Sequence, residues 1–205
     1  MRVVTIDSVE QLLALLAGGY RRRDELDPRG EAVDLLTHAL QAAHEAYLVR
    51  PADEELQVAA LVHDLGHIVD PPEGDRERLA REMNHGNIAA TAVRGLLGER
   101  VAELVGLHVA AKRYLVTTDP AYRELLSTAS ARSLMLQGGS LTAAELVEFE
   151  RRRHSVDAVV LRHADDAAKV PGRQVPSLLS WRPVLDAVAN SVRRDRERRP
   201  VANVA

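Results

Sequence analysis

The segment ALVHDLGH, residues 60–67, sets two imidazoles and a carboxylate inside the most apolar run of the chain, Val58 to Val69. A buried aspartate is costly unless paired or metal-bound, and a buried imidazole needs its ring nitrogens satisfied. On a continuous helix His63 and His67 would share a face, with Asp64 about 100° round the axis. Such a pair alone is as readily a structural polar cluster as a ligand set. It is not alone, however. His38 in LLTHALQ, His85 at the head of HGNIAATAVRGLLG, His108 in LVGLHVAAKRY and Asp165 in VVLRHADDAAKV each open or interrupt an apolar helical pattern. Imidazole with carboxylate suits iron, zinc or manganese, and two ions can share one carboxylate. The chain has no cysteine, which excludes thiolate ligands and disulfides. His44, His154 and His163 have no evident partner, and the Asp165-Asp166 doublet leaves open which carboxylate matters.

Helices must position these groups. Apolar residues make up 46% of the 205 and are mostly Leu, Val and Ala, with one Phe, one Trp and four Tyr. That composition suits packed helices better than a sheet. DSVEQLLALLAGG opens on a Ser8/Gln11 capping box and closes on a Gly pair that can stop a helix, leaving RRRDELDP as a loop. A second helix is predicted over 31–49, ended by Pro51. A third, capped by Asp53, is predicted through EELQVAALVHDLGHIV as far as Pro71-Pro72. PPEGDRERLAREMN reads as a polar, mobile excursion, with helices resuming at HGNIAATAVRGLLG and ERVAELVGLHVAAKRYLV. Shorter pieces follow Pro120, with a break at Gly138-Gly139. A C-terminal helix is predicted over about 177–197, with a frayed, charged tail to 205.

The expectation is an all-α single domain over 1–205, its core at about 30–170. A net charge of −3 offers no general attraction to nucleic acid or anionic membranes. With neither a signal peptide nor a bilayer-length apolar run, the expected setting is cytoplasmic, with no membrane partner. The oligomeric state is not legible.

The order H…HD…H…H…D resembles the HD-domain superfamily. Within it the chain is most similar to the mixed-valent diiron oxygenases that cleave carbon–phosphorus bonds, including the type that oxidises 2-amino-1-hydroxyethylphosphonate to glycine and phosphate. The likeness runs from about Gly30 to Lys169. GEAVDLLTHALQAA and AALVHDLGH are common to many HD proteins, whereas HVAAKRYLV and SARSLMLQGG are more specific to the oxygenase branch. The resemblance implies a helical HD bundle with a dinuclear site at its centre. One iron would be held by His38, His63 and Asp165, the second by His85 and His108, and Asp64 would bridge them. Asp166 would take no part. The implied cofactors are two iron ions, Fe2+ and Fe3+, with dioxygen as co-substrate. The implied partner is a small anionic phosphonate, anchored by His67, Lys112, Ser130 and Arg162.

At the other end of the substrate the match is partial. Glu31 matches the carboxylate that recognises the amine, Pro28 stands where the family has a Tyr, and Leu35 replaces a polar Gln. These residues favour a 1-hydroxyphosphonate bearing a 2-amino or N-methylated amino group over a bare hydroxymethyl. The alternative is a metal-dependent HD phosphohydrolase acting on a phosphate ester, since the same ligands could generate a metal-bound hydroxide.

Overall fold

A computed structural model describes residues 4–24, 33–69 and 75–198. Among the described residues there are nine α-helices, two short 3-10 turns and no strand. None of these helices is long and apolar enough to cross a membrane.

Helix α1, Val9–Asp24, starts where Ser8 Oγ accepts the Gln11 N–H at 3.1 Å. Gln11 Oε1 in return accepts the N–H of Asp7 at 3.0 Å. The predicted stop at Gly18-Gly19 is not used, and the helix continues to Asp24. A helical glycine costs only about 1 kcal/mol, too little to end a helix by itself. Helix α2, Leu35–Val49, is capped by Asp34, which accepts the Thr37 N–H at 2.7 Å. Pro28 and Glu31 lie outside the described residues, whereas Leu35 is buried.

Helix α3, Glu54–Val62, is capped by Asp53 as expected but is shorter than predicted. His63 is its C-cap, and a 3-10 turn, Leu65–His67, follows. His63 and His67 therefore do not share one helix face. The reason is close packing. A Cβ on Gly66 would lie 2.0 Å from the carbonyl oxygen of His85, so the turn rests directly on backbone of the next helix.

That helix, α4, spans Asp75–Thr118 and is broken at Gly98, whose φ of 87° and ψ of 177° are non-helical. L residues rarely adopt such a φ, and glycine does so without steric cost. The two halves double back: a Cβ on Gly106 would meet that of Ala90 at 3.6 Å. The excursion expected over 71–84 is helical from Asp75 onward. Its Arg, Glu, Leu, Ala and Met are good helix formers, a propensity that outweighs their polarity.

Helices α5, Pro120–Leu125, and α6, Thr128–Leu136, are capped by Asp119 and Ser127. Gly138 and Gly139 follow with φ of 97° and 68°. Helix α7, Ala143–Arg151, has a Thr142/Glu145 capping box, and α8 spans Ser155–Ala167. The predicted C-terminal helix divides into a 3-10 turn, Leu178–Trp181, and α9, Arg182–Arg198. The predicted tail beyond 198 lies outside the described residues.

Leu56, Leu61, Leu65, Leu97, Leu104 and Leu161, from α3, its 3-10 turn, α4 and α8, are wholly enclosed. Burial of each stabilises the fold by about 1.5–3 kcal/mol. Arg100 of α4 ties the far ends of α3 and α8 together, donating to both oxygens of Asp53 at 2.6 and 2.7 Å and to Asp157 at 3.0 Å. This clamp sits at the N-terminal ends of α3 and α8, and their C-terminal ends carry His63, Asp64 and Asp165.

Gly66→Ala is expected to lower stability by about 2–3 kcal/mol, because the new methyl would press on His85 backbone. Thermal melting should fall by roughly 5–10 °C. An unchanged melting temperature would show that this turn is free to move.

Candidate metal centre

Six of the predicted groups come together. His38 comes from α2, His63 and Asp64 from the end of α3, His85 and His108 from the two halves of α4, and Asp165 from α8. In three of the imidazoles a carbonyl decides the tautomer. Nδ1 of His38 lies 2.8 Å from Ala168 O, that of His63 2.8 Å from Ala60 O, and that of His108 2.6 Å from Val105 O. A carbonyl can only accept, so each Nδ1 carries the proton and each Nε2 keeps a lone pair.

Those lone pairs converge. His38 Nε2 is 3.2 Å from His63 Nε2, and His85 Nε2 is 2.9 Å from His108 Nε2. The bare nitrogens of His38 and His63 repel at that distance unless a cation lies between them, and His108 turns its own toward His85. Asp165 Oδ1 closes the first group, 3.2 Å from His38 Nε2 and 3.8 Å from His63 Nε2. Atoms bound about 2.1 Å from one ion stand roughly 3–3.5 Å apart, so the donors fit a metal.

Asp64 lies between the groups. Its Oδ2 is 3.8 Å from His38 Nε2, and its Oδ1 is 3.6 Å from His63, 3.5 Å from His85 and 3.9 Å from His108. The expected anion contact His67 also faces this carboxylate, its Nε2 3.8 Å from Asp64 Oδ1. Its ring stacks flat on His85, with centroids 4.2 Å apart. His85 and His108 are instead tilted by 57° and aim their nitrogens at one point.

The electrostatics favour cation binding. Burial opposes the Asp64 charge, but the imidazoles of His63, His67, His85 and His38 hold its carboxyl well below the usual range. Burial likewise works against Asp165, and the Arg162 guanidinium overcomes it. His108 is driven well below the ordinary imidazole value by burial, then by His85 and His63, which keeps it neutral and able to ligate. Burial disfavours a charged His38, yet the hydrogen bond and charge of Asp165 raise its pKa. A proton there occupies the place of a metal.

The other three predicted anion residues, Lys112, Ser130 and Arg162, are buried beside this centre. Lys112 Nζ donates to Ser133 Oγ at 2.7 Å, and Ser130 Oγ accepts from Lys169 Nζ at 2.7 Å. Arg162 donates through one terminal nitrogen to Asp165 Oδ2 at 2.6 Å. Sequence reasoning missed Lys169 and Ser133. Ser133 carried a spacing signal, since it follows Ser130 by three residues on α6, whereas Lys169 lies beyond the end of α8 at Ala167 and carried none.

The HD domain family model matches residues 9–201. The chain is 43% identical to the hydroxymethylphosphonate dioxygenase of Gimesia maris over 152 residues, 74% of this chain and 75% of the relative. It is 31% identical to the glycine-betaine-forming [1-hydroxy-2-(trimethylamino)ethyl]phosphonate dioxygenase of Leisingera caerulea over 179 residues, 87% and 91% of the two. The chain belongs to the HD-domain family, among its oxygenases. A protein of Acanthamoeba polyphaga mimivirus without assigned function is also 31% identical, over 166 residues, 80% of this chain and 75% of the relative.

For an HD-domain oxygenase the carboxylate common to both histidine groups is the decisive feature. Anaerobic iron loading is expected to give close to two irons per chain, and Asp64→Ala to lower that number. A firm count of one that Asp64→Ala leaves unchanged would overturn the bridge.

Proposed function

We propose that this HD-domain oxygenase holds two iron ions of mixed valence and cleaves the carbon–phosphorus bond of a 1-hydroxyphosphonate, releasing phosphate. The supporting observation is the juxtaposition of two histidine-carboxylate groups with the buried Lys112 and Arg162 and the partly buried Lys169. In this reading His38, His63 and Asp165 would hold one iron and His85 and His108 the other, with the Asp64 carboxylate shared between the two groups. When bound, such a pair supplies a Lewis acid for the hydroxyl of the substrate and electrons for reducing dioxygen.

The chain's own residues do the rest. Lys112, Arg162 and Lys169 neutralise the phosphonate, and Ser130 and Ser133 add hydroxyl donors. His67, stacked on His85 and facing Asp64, would add a further imidazole donor to the anion. Burial of Lys112, Ser130, Arg162 and the ligands keeps bulk water from the reacting carbon. Hydroxymethylphosphonic acid with one dioxygen then balances as formic acid and phosphoric acid.

The Gimesia maris relative favours hydroxymethylphosphonate, and the buried apolar Leu35 is consistent with a small, uncharged substituent. The Leisingera caerulea relative, together with a carboxylate at Glu31, supports a cationic amino or trimethylamino substituent as the second reading. No observation favours the phosphate-ester hydrolase, and both named relatives are dioxygenases.

Dioxygen uptake and phosphate release should be followed with the hydroxymethyl, aminoethyl and trimethylaminoethyl compounds in turn. Hydroxymethylphosphonate is expected to yield formate and phosphate. Glu31→Gln should slow only cationic substrates if the second reading holds, and phosphate from none of the three would sink the oxygenase assignment.

A pH dependence follows from Lys112. Burial first, then the Arg162 charge, push its pKa down to about 7. Its ammonium is therefore lost as pH rises through neutrality, and phosphate affinity should fall between about pH 7 and 9. Lys112→Arg, charged throughout, should flatten that profile in calorimetric titrations.

A further inference from the structure

Arg162 is held from the side opposite the metal centre. Its Nε donates to Asp166 Oδ2 at 3.0 Å and to the hydroxyl of Tyr122 at 2.9 Å. One terminal nitrogen donates to Asp166 Oδ1, and the other to Asp165 Oδ2 at 2.6 Å. Tyr122 comes from α5, is itself buried, and donates its hydroxyl to Asp166 Oδ2 at 2.5 Å. Burial and the Asp166 charge push its phenol up, outweighing Arg162, so the hydroxyl stays protonated and remains a donor.

Counting donors shows what this achieves. A guanidinium has five N–H groups in a fixed fork. Asp166 and Tyr122 engage Nε and one N–H of a terminal nitrogen, and Asp165 takes one N–H of the other. The plane is thus fixed, with one N–H on each terminal nitrogen left over. The two oxygens of Asp165 are also divided, Oδ2 on Arg162 and Oδ1 toward His38 and His63. Had Arg162 only Asp165 as a counter-charge, it could swing about that single contact. Asp166 and Tyr122 remove that freedom.

We propose that Tyr122 and Asp166 are positioning residues: they lock Arg162 edge-on, so that it orients Asp165 with one nitrogen and presents its remaining N–H groups to the substrate anion. This rests on the reading of Arg162 as part of the anion pocket. Neither residue touches substrate, and both act through Arg162.

The test is a double-mutant cycle on the iron-loaded protein, with inorganic phosphate as the calorimetric probe. Tyr122→Phe is expected to weaken phosphate binding about fivefold and Asp166→Asn about tenfold, the range for the net contribution of a typical hydrogen bond. With hydroxymethylphosphonate, KM should rise more than kcat falls, while iron content and melting temperature stay close to wild type. In an Arg162→Ala background Tyr122→Phe should have no further effect on phosphate binding, which a merely structural role would not produce. A fivefold loss persisting in that background would overturn the proposal, as would wild-type affinity in Tyr122→Phe and Asp166→Asn. Failure of Arg162→Ala itself to weaken phosphate binding would remove the anion-pocket reading beneath it. Weakening by Arg162→Ala but by neither other variant would defeat the positioning role alone.

Discussion

Four imidazoles turn ring nitrogens toward one another in an apolar interior, at least three of those nitrogens bare, and positive charge stabilises that arrangement. Backbone carbonyls of Ala60, Val105 and Ala168 set the tautomers of three of them, so the lone pairs cannot be turned outward by a simple proton shift. Much of the rest of the fold serves this convergence. The α3 helix is shortened so that His63 and Asp64 stand at its mouth, and α8 presents Asp165 to His38. Arg100 holds the distant ends of α3 and α8 in register. The folded state and the charged centre are therefore linked: a cation that binds the folded site also stabilises the fold.

The anion pocket answers a related constraint with the opposite sign. Asp64, Asp165 and Asp166 stand beside Lys112, Arg162 and Lys169, so the region approaches electrical balance before any ligand arrives. In the proposed function, a dianionic substrate and a pair of metal cations would disturb that balance in compensating directions, and substrate affinity would be coupled to metal occupancy through simple electrostatics.

The parts of this design that were legible in the sequence are those in which local pattern and tertiary demand agree. Ser8 and Asp53 cap helices because their side chains satisfy orphan N–H groups one turn away, a rule that needs no distant partner; Asp34, by contrast, starts α2 inside the helix predicted from residue 31. The His and Asp groups stood out because polar residues in apolar helical patterns are expensive. Elsewhere a long-range contact overrides local pattern. Nothing near Gly66 says that its α-carbon rests on His85 backbone, and so the end of α3 at Val62 was not readable. The Gly18-Gly19 pair looked like a stop although its cost was small, and the charges of 75–84 concealed good helix formers. Lys169 and Tyr122 carried no local signal, because Lys169 meets Ser130 across 39 residues and the partners of Tyr122 are 40 and 44 residues away.

The break at Gly98 has a consequence for how the centre is assembled in time. His85 and His108 lie 23 residues apart, on two halves of one doubled-back helix, whereas His38 meets Ala168 across 130 residues. Loop closure over the shorter span is entropically cheaper, and short-range contacts form earlier on a folding pathway. The hairpin around Gly98 is thus the natural nucleus of half the site. The other half waits for the synthesis of α8, the helix that brings Asp165. A metal ion captured during synthesis would therefore meet the His85–His108 pair well before a complete binding set exists.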